Sequence, residues 1–200
     1  MKLVLASNNA HKLTELGSLL ADLSVELVSQ GQLGIGEAEE PHPTFVENAL
    51  AKARHAAAHS GLPALADDSG LCVDALGGAP GVLSARYAGL FGEAGGDAAN
   101  NRVLLRNMAG QTDRSARFVG VLVAVRSADD PEPLIAIGRW PGRLLTEAQG
   151  DGGFGYDPLL WIPEFDCSVG SMTPQTKNLH SHRARAALQM KALMREVWRA

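Results

Sequence analysis

Leu3-Val4-Leu5-Ala6-Ser7-Asn8-Asn9-Ala10-His11-Lys12 decides the fold class of this chain. Its four leading apolar residues read as a short buried strand, and the polar run behind them as a turn. Leu13, Leu16, Leu19, Leu20 and Leu23 then recur at helical spacing through residues 12–23. A strand, a polar turn and a helix in that order open an α/β domain.

The pattern continues outward. Val25-Glu26-Leu27-Val28 reads as a second strand. Thr44-Phe45-Val46-Glu47 has the S/T-x-x-E form of a capping box, so a helix is predicted to start there. Ala49, Leu50, Ala53, Ala56 and Ala57 carry it to Ser60, and Gly61 stops it. Residues 63–66 read as a strand ending in Asp67-Asp68-Ser69-Gly70. Residues 97–108 read as a helix, residues 118–125 and 134–140 as strands, with Asp129-Asp130-Pro131-Glu132-Pro133 as their hairpin connection. Residues 150–157 form a glycine-rich loop. Ser181 can cap a last helix that includes Leu188, Leu193, Met194 and Val197. No repeat and no linker-like segment interrupts the 200 residues, so one domain with a mixed sheet and helices on its faces is expected.

The chain is 46% hydrophobic and 20% charged, which excludes a disordered or fibrous protein. No apolar stretch approaches the ~18 residues of a membrane helix. The run before Ser7 is too short for a signal-peptide core, so the reading is cytoplasmic. A net charge of −4 without a basic stripe speaks against duplex nucleic acid as a partner. A small anionic substrate stays compatible, because local lysines or a metal ion offset global acidity. Cys72 and Cys167 form no C-x-x-C and read as small apolar side chains.

Four groups of residues could carry chemistry. Ser7-Asn8-Asn9-Ala10-His11-Lys12 sits where a helix begins, and backbone N–H groups there attract anions. Lys12 opposes the helix dipole, which an anionic ligand would rationalise; a capped turn with a solvated lysine is the plainer alternative. Asp67-Asp68 follows a strand at the carboxyl end, where α/β sheets place ligands, and Glu39-Glu40 is a second acidic pair. Paired carboxylates suit Mg²⁺, which takes hard oxygen donors, although solvated acidic loops would look the same. Glu47 is the capping-box acid, and Lys52 on the same helix is either a ligand or a solvated charge. In Gly152-Gly153-Phe154-Gly155-Tyr156-Asp157, glycines allow close approach, the aromatics offer faces to a base or fill core, and Asp157 can accept from a base edge. Lys177, His182 and Arg183 lie just before or at the start of the last helix.

Six segments in one order resemble the inosine/xanthosine triphosphate pyrophosphatase family over essentially the whole chain. They are Ser7-Asn8-Asn9-Ala10-His11-Lys12, Thr44-Phe45-Val46-Glu47-Asn48-Ala49 with Lys52-Ala53, Ala66-Asp67-Asp68-Ser69-Gly70-Leu71, Gly81-Val82-Leu83-Ser84-Ala85-Arg86-Tyr87, Gly153-Phe154-Gly155-Tyr156-Asp157-Pro158 and Ser181-His182-Arg183. The resemblance implies an elongated mixed sheet in two lobes with an active-site cleft between them, a homodimer, and Mg²⁺-dependent hydrolysis of XTP, ITP or dITP to the monophosphate and pyrophosphate. It implies that Ser7, Asn8, Asn9, Ala10, His11 and Lys12 hold the triphosphate, Asn9 and Lys12 most directly, and that Lys52 joins them. Glu40 and Asp68 would hold Mg²⁺, and Asp68 would also be the general base. Ser69 would contact the nucleotide. Phe154, Gly155, Tyr156 and Asp157 would form the base pocket, with Phe154 stacking. Lys177, His182 and Arg183 would read the base, above all its 6-oxo group. Two departures stand out: His42-Pro43 in the loop after Glu40, and Ser7 where many members carry threonine, a change that keeps the hydroxyl.

The residue types suit that chemistry. A triphosphate carries roughly four negative charges, and phosphoryl transfer depends mostly on positioning and charge stabilisation. Donors facing the 6-oxo group leave adenine mispaired, and a site built on hydrogen bonds can reject such analogues by up to ~10⁴-fold or more. Two rival readings are a pyrophosphatase acting on modified pyrimidines and a non-catalytic nucleotide-binding module. Against the second stands the presence of both the lysines and the metal-type acids.

Overall fold

The structure, a computed structural model, describes residues 1–199. Seven strands form one sheet in the order β2-β1-β3-β4-β5-β6-β7. They are β1 (Lys2–Leu5), β2 (Glu26–Ser29), β3 (Ala64–Val73), β4 (Ser115–Val125), β5 (Leu134–Leu144), β6 (Leu160–Ile162) and β7 (Cys167–Ser168). Among the described residues five α-helices accompany them: α1 (Ala10–Leu19), α2 (Phe45–Ser60), α3 (Asp97–Asn107), α4 (Pro174–His180) and α5 (His182–Leu193). The sheet is mixed, as the sequence predicts. β1 pairs parallel with β2, Leu3 opposite Leu27, and with β3, Val4 opposite Ala64. β6 pairs antiparallel with β5 and with β7.

The chain divides into two compact units. The first comprises Met1–Asp68, Gly120–Gly138 and the residues from His182 on; the second comprises Ser69–Val119 and Arg139–Ser181. Each has its own core.

In the first unit, strand alternation sorts the side chains. Leu3, Leu5 and Leu65 point to one face, where they pack with Leu16 and Leu20 of the α1 segment and with Ala186, Ala187 and Met190 of α5. On the other face lies α2, which buries Asn48, Ala49, Lys52, Ala53, Ala56 and Ala57. That stripe has the three- and four-residue spacing of one helical face. Its alanines are small enough to let a lysine share the buried stripe. Thr44 Oγ accepts from the Glu47 N–H at 3.3 Å, and Gly61 closes the helix in the left-handed region at φ 67°. Gly138 in β5 is a close approach: a Cβ there would lie 1.9 Å from the His182 carbonyl oxygen, so only glycine admits the first turn of α5.

The second unit packs Leu71, Val103, Leu104, Trp140, Tyr156, Leu159 and Leu160 into its core.

Five elements differ from the sequence reading. β3 runs through Asp67-Asp68 to Val73 instead of ending before them. Both carboxylates find cations inside the protein, so the strand keeps pairing without needing water. α1 begins at Ala10, because the Asn9 side chain caps it. Lys177 belongs to a separate short helix, α4, which Thr173 caps through the Thr176 N–H at 3.2 Å. β6 and β7, of three and two residues, carry no readable period.

Candidate active site

The phosphate-type residues sit in the first unit. Asn9 Oδ1 accepts from the N–H groups of His11 at 3.0 Å and Lys12 at 3.2 Å, and Ser7 Oγ accepts from the Asn9 N–H at 3.2 Å. The turn at residues 7–12 is therefore a self-capped helix start. Ser7 is half-buried, while Asn8, Asn9, Ala10 and His11 are exposed. Lys12 points from α1 to β3, its Nζ donating to the Asp67 carbonyl at 3.3 Å and lying 3.8 Å from the Asp67 carboxylate. Burial pushes its ammonium below the ordinary lysine range, against the attraction of Asp67.

Lys52 reaches the same strand from α2. Its Nζ donates to Asp68 Oδ1 at 2.8 Å, to Glu40 Oε1 at 2.8 Å and to the Asp67 carbonyl at 2.9 Å. Burial alone would push this ammonium down, but the charges and hydrogen bonds of Asp68 and Glu40 outweigh it and hold the group above the usual lysine range. Burial raises the Asp68 carboxyl, against the pull of Lys52. Glu40 is held on a loop that Asn48 clamps from α2: its Oδ1 accepts from the His42 N–H and its Nδ2 donates to the His42 carbonyl, both at 3.0 Å. The His42-Pro43 departure is thus built into the scaffold of Glu40.

Among the described residues no three His, Cys, Asp or Glu side chains gather as a closed metal cage. Glu40 and Asp68 are a two-carboxylate set, which is what Mg²⁺ uses when waters and phosphate oxygens complete its shell. One observation favours that fit: Asp68 Oδ2 is buried and takes no hydrogen bond among the described residues. A buried carboxylate oxygen without a donor is costly, and a cation or a water proton would satisfy it.

Arg183, in the first turn of α5, is 1% exposed. Its Nε donates to Asp67 Oδ2 at 2.6 Å and its Nη1 to the carboxylate of Glu15 on α1. Burial would push the guanidinium down, but Asp67 and Glu15 outweigh it and hold it above the ordinary arginine value. His182 beside it is buried too.

The base-type residues Phe154, Gly155, Tyr156, Asp157 and Lys177 lie in the second unit. Asp157, itself buried, accepts from the Phe154 N–H at 2.9 Å and from Lys177 Nζ at 2.8 Å. Lys177 Nζ stands 4.4 Å from the centroid of the Phe154 ring, in cation–π range. Gly153 holds φ +74°, and a Cβ on it would come within 2.0 Å of Asp157 Oδ2. From α3, Asp97 accepts from the Gly155 N–H at 2.6 Å and Asn101 donates to its carbonyl at 3.1 Å. Tyr156 lies in the core, its hydroxyl donating to the Ser84 carbonyl at 2.8 Å, so its ring is a packing group and Phe154 is the half-buried aromatic of the loop. Ser69 is half-buried in β3.

Sequence reasoning named Asp67 only as half of an acidic pair, not as a partner of Arg183, and it missed Glu15, Asn48, Asp97 and Asn101. Two of them had a signal. Glu15 follows Lys12 by three residues, one helical turn, and Asp67 and Asp68 must face opposite ways in any strand.

A model of the Ham1 family matches residues 3–193. The chain is 68% identical to a protein of Leptothrix cholodnii named dITP/XTP pyrophosphatase, over 99% of both chains. It is 63% identical to a protein of the same name from Paracidovorax citrulli, over 99% of this chain and all of that one. Its fold superposes on the solved structure of a HAM1 protein from Coxiella burnetii with a TM-score of 0.91 at 43% identity, covering 98% of this chain and 100% of that one.

Proposed function

The chain belongs to the Ham1 family, and on that premise we propose that it hydrolyses deaminated purine nucleoside triphosphates to the monophosphate and pyrophosphate. The observation that carries this reading is the meeting of Lys12 and Lys52 on the Asp67 carbonyl, with Glu40 and Asp68 both bonded to Lys52 and Asp68 Oδ2 left without a donor among the described residues. Two lysines offset phosphate charge, and a buried carboxylate accepts a proton.

Lys12 and Lys52 bind the triphosphate, with the N–H-rich start of α1 beside them. Glu40 and Asp68 would hold Mg²⁺, which when bound supplies positive charge against the phosphate oxygens. Asp68 takes a proton from the attacking water, whose oxygen bonds to the α-phosphorus as the bond to the bridging oxygen breaks; pyrophosphate leaves. Burial raises the proton affinity of Asp68, which suits a base. In the second unit Phe154 stacks on the base, and Asp157 and Lys177 meet its edge; in the first unit His182 and Arg183 are donors of the kind a 6-oxo group accepts. Adenine presents a donor at that position, so ATP is a poor substrate.

The family resemblance also supports a homodimer working in the cytoplasm on a small-molecule substrate. The net charge of −4 supports a role without nucleic acid. No described helix is long and apolar enough to cross a membrane.

The deciding experiment is product analysis with ITP, XTP, dITP, ATP and GTP, with and without Mg²⁺. IMP and pyrophosphate from ITP are expected. IDP and orthophosphate in the phosphorus NMR spectrum would overturn the reading.

A further inference from the structure

Two carboxylates of the first unit, Glu15 and Asp67, have no part in the reaction above. Both bind Arg183. Asp67 comes from β3 and takes Nε at 2.6 Å; Glu15 comes from α1 and takes Nη1. Arg183 itself comes from α5, so three elements converge on one guanidinium that is 1% exposed.

Neutralising this charge needs only one carboxylate. A single partner, though, leaves the planar fork free to pivot about that pair, whereas partners at Nε and at Nη1 fix its plane. Nor does stability explain the arrangement, because well-packed apolar groups generally serve a core as well as a buried ion triad does. What the triad provides is orientation. Glu15 and Lys12 lie a single helical turn apart on α1, so the helix that carries the phosphate lysine also aims the arginine.

We propose that Glu15 is a positioning residue that sets base selectivity by fixing the plane of Arg183. The proposal rests on the reading that Arg183 donates to the 6-oxo group of the base.

The test compares kcat and KM for ITP and ATP in the wild type, Arg183→Lys, Glu15→Gln and Asp22→Asn. Glu15→Gln keeps the shape and an acceptor but removes the charge. Asp22→Asn is the control: it cuts the exposed pairs of Asp22 with Lys191 at 3.0 Å and Arg195 at 2.8 Å, loosening the C-terminal segment without touching Arg183. The expected result is that Glu15→Gln lowers the ITP-to-ATP ratio of kcat/KM at least about tenfold, chiefly through a higher KM for ITP, while Asp22→Asn leaves the ratio unchanged. An unchanged ratio in folded Glu15→Gln overturns the proposal, as does an equal loss in Asp22→Asn. If Glu15→Gln does not fold, Glu15→Asp replaces it, since the shorter side chain withdraws the charge from Nη1; a lower ratio supports the proposal and an unchanged one overturns it. A wild type that does not prefer ITP, or Arg183→Lys with the wild-type ratio, would instead sink the functional reading beneath it.

Discussion

Lys52 Nζ lies 2.8 Å from Asp68 Oδ1, so an ammonium of the protein occupies the ground between the carboxylates assigned to the metal. The lysine is a cation competing for the same oxygens. Lys52→Met is therefore expected to bind Mn²⁺ at least about tenfold more tightly in the absence of nucleotide, read by EPR titration. The same variant loses a charged hydrogen bond worth ~1.5–3 kcal/mol. Its kcat/KM for ITP falls roughly ten- to a hundredfold, since ~1.4 kcal/mol is a factor of ten. Mn²⁺ affinity at or below wild type would show that the lysine and the metal do not compete.

Asp68→Asn keeps an acceptor for Lys52 and loses the base. Turnover of ITP should fall by ~10²–10⁴-fold or more. Circular dichroism and thermal unfolding should stay close to wild type. Retention of a tenth of wild-type kcat would remove Asp68 from the chemistry.

Gly153→Ala tests the loop around Phe154. Alanine at φ +74° is strained by ~1–2 kcal/mol, and its Cβ would press on Asp157 Oδ2 at 2.0 Å. The loop has to shift, so KM for ITP rises several-fold while kcat changes less. Steady-state kinetics with ITP checks this, and an unchanged KM would detach the loop from base binding.

Much of this was legible in the sequence. The capping box at Thr44, the alanine stripe of α2 and the strand–turn–helix opening rest on local rules, and local rules hold there. The sequence places the acids at 67 and 68 just beyond the strand, and not inside it, because single-sequence reasoning treats adjacent carboxylates as solvent-seeking. What overrules that is tertiary: Arg183, from 116 residues further along, supplies the charge that lets Asp67 be buried. Glu15 and Asn48 were missed for the same reason. Their partners are a guanidinium and a loop backbone that no periodicity reveals. In the loop at 153–157 the sequence left Tyr156 open between base and core, and the Ser84 carbonyl that settles it is 72 residues away.

Asp130 gives a pH-dependent test of stability. Burial alone would push its carboxyl up, but the N–H groups of Arg126 at 2.7 Å and Glu132 at 3.0 Å outweigh it and hold it below the ordinary 3.8. With the folded value depressed, its contribution is complete above about 3.8 and is lost as the pH falls below that. Asp130→Ala should cost roughly 1–3 kcal/mol near neutrality for the donors left unmatched. Urea unfolding of both proteins should show the charge-dependent part of that gap narrowing as the medium is acidified through this range. A gap of constant size would mean that the charge of Asp130 contributes nothing.

Asp67 and Asp68 are neighbours in a strand, and a strand sends neighbours to opposite sides. One carboxylate locks an arginine of the protein; the other faces Lys52 and Glu40. Their division of labour is therefore held by the pairing of β3 with β1, Val4 against Ala64 and Leu5 against Leu65. A slip of one residue would swap the two acids without changing the composition of the chain. Deleting a single residue between Leu65 and Asp67 is thus a more severe lesion than replacing either aspartate, because it hands each carboxylate the other's occupation.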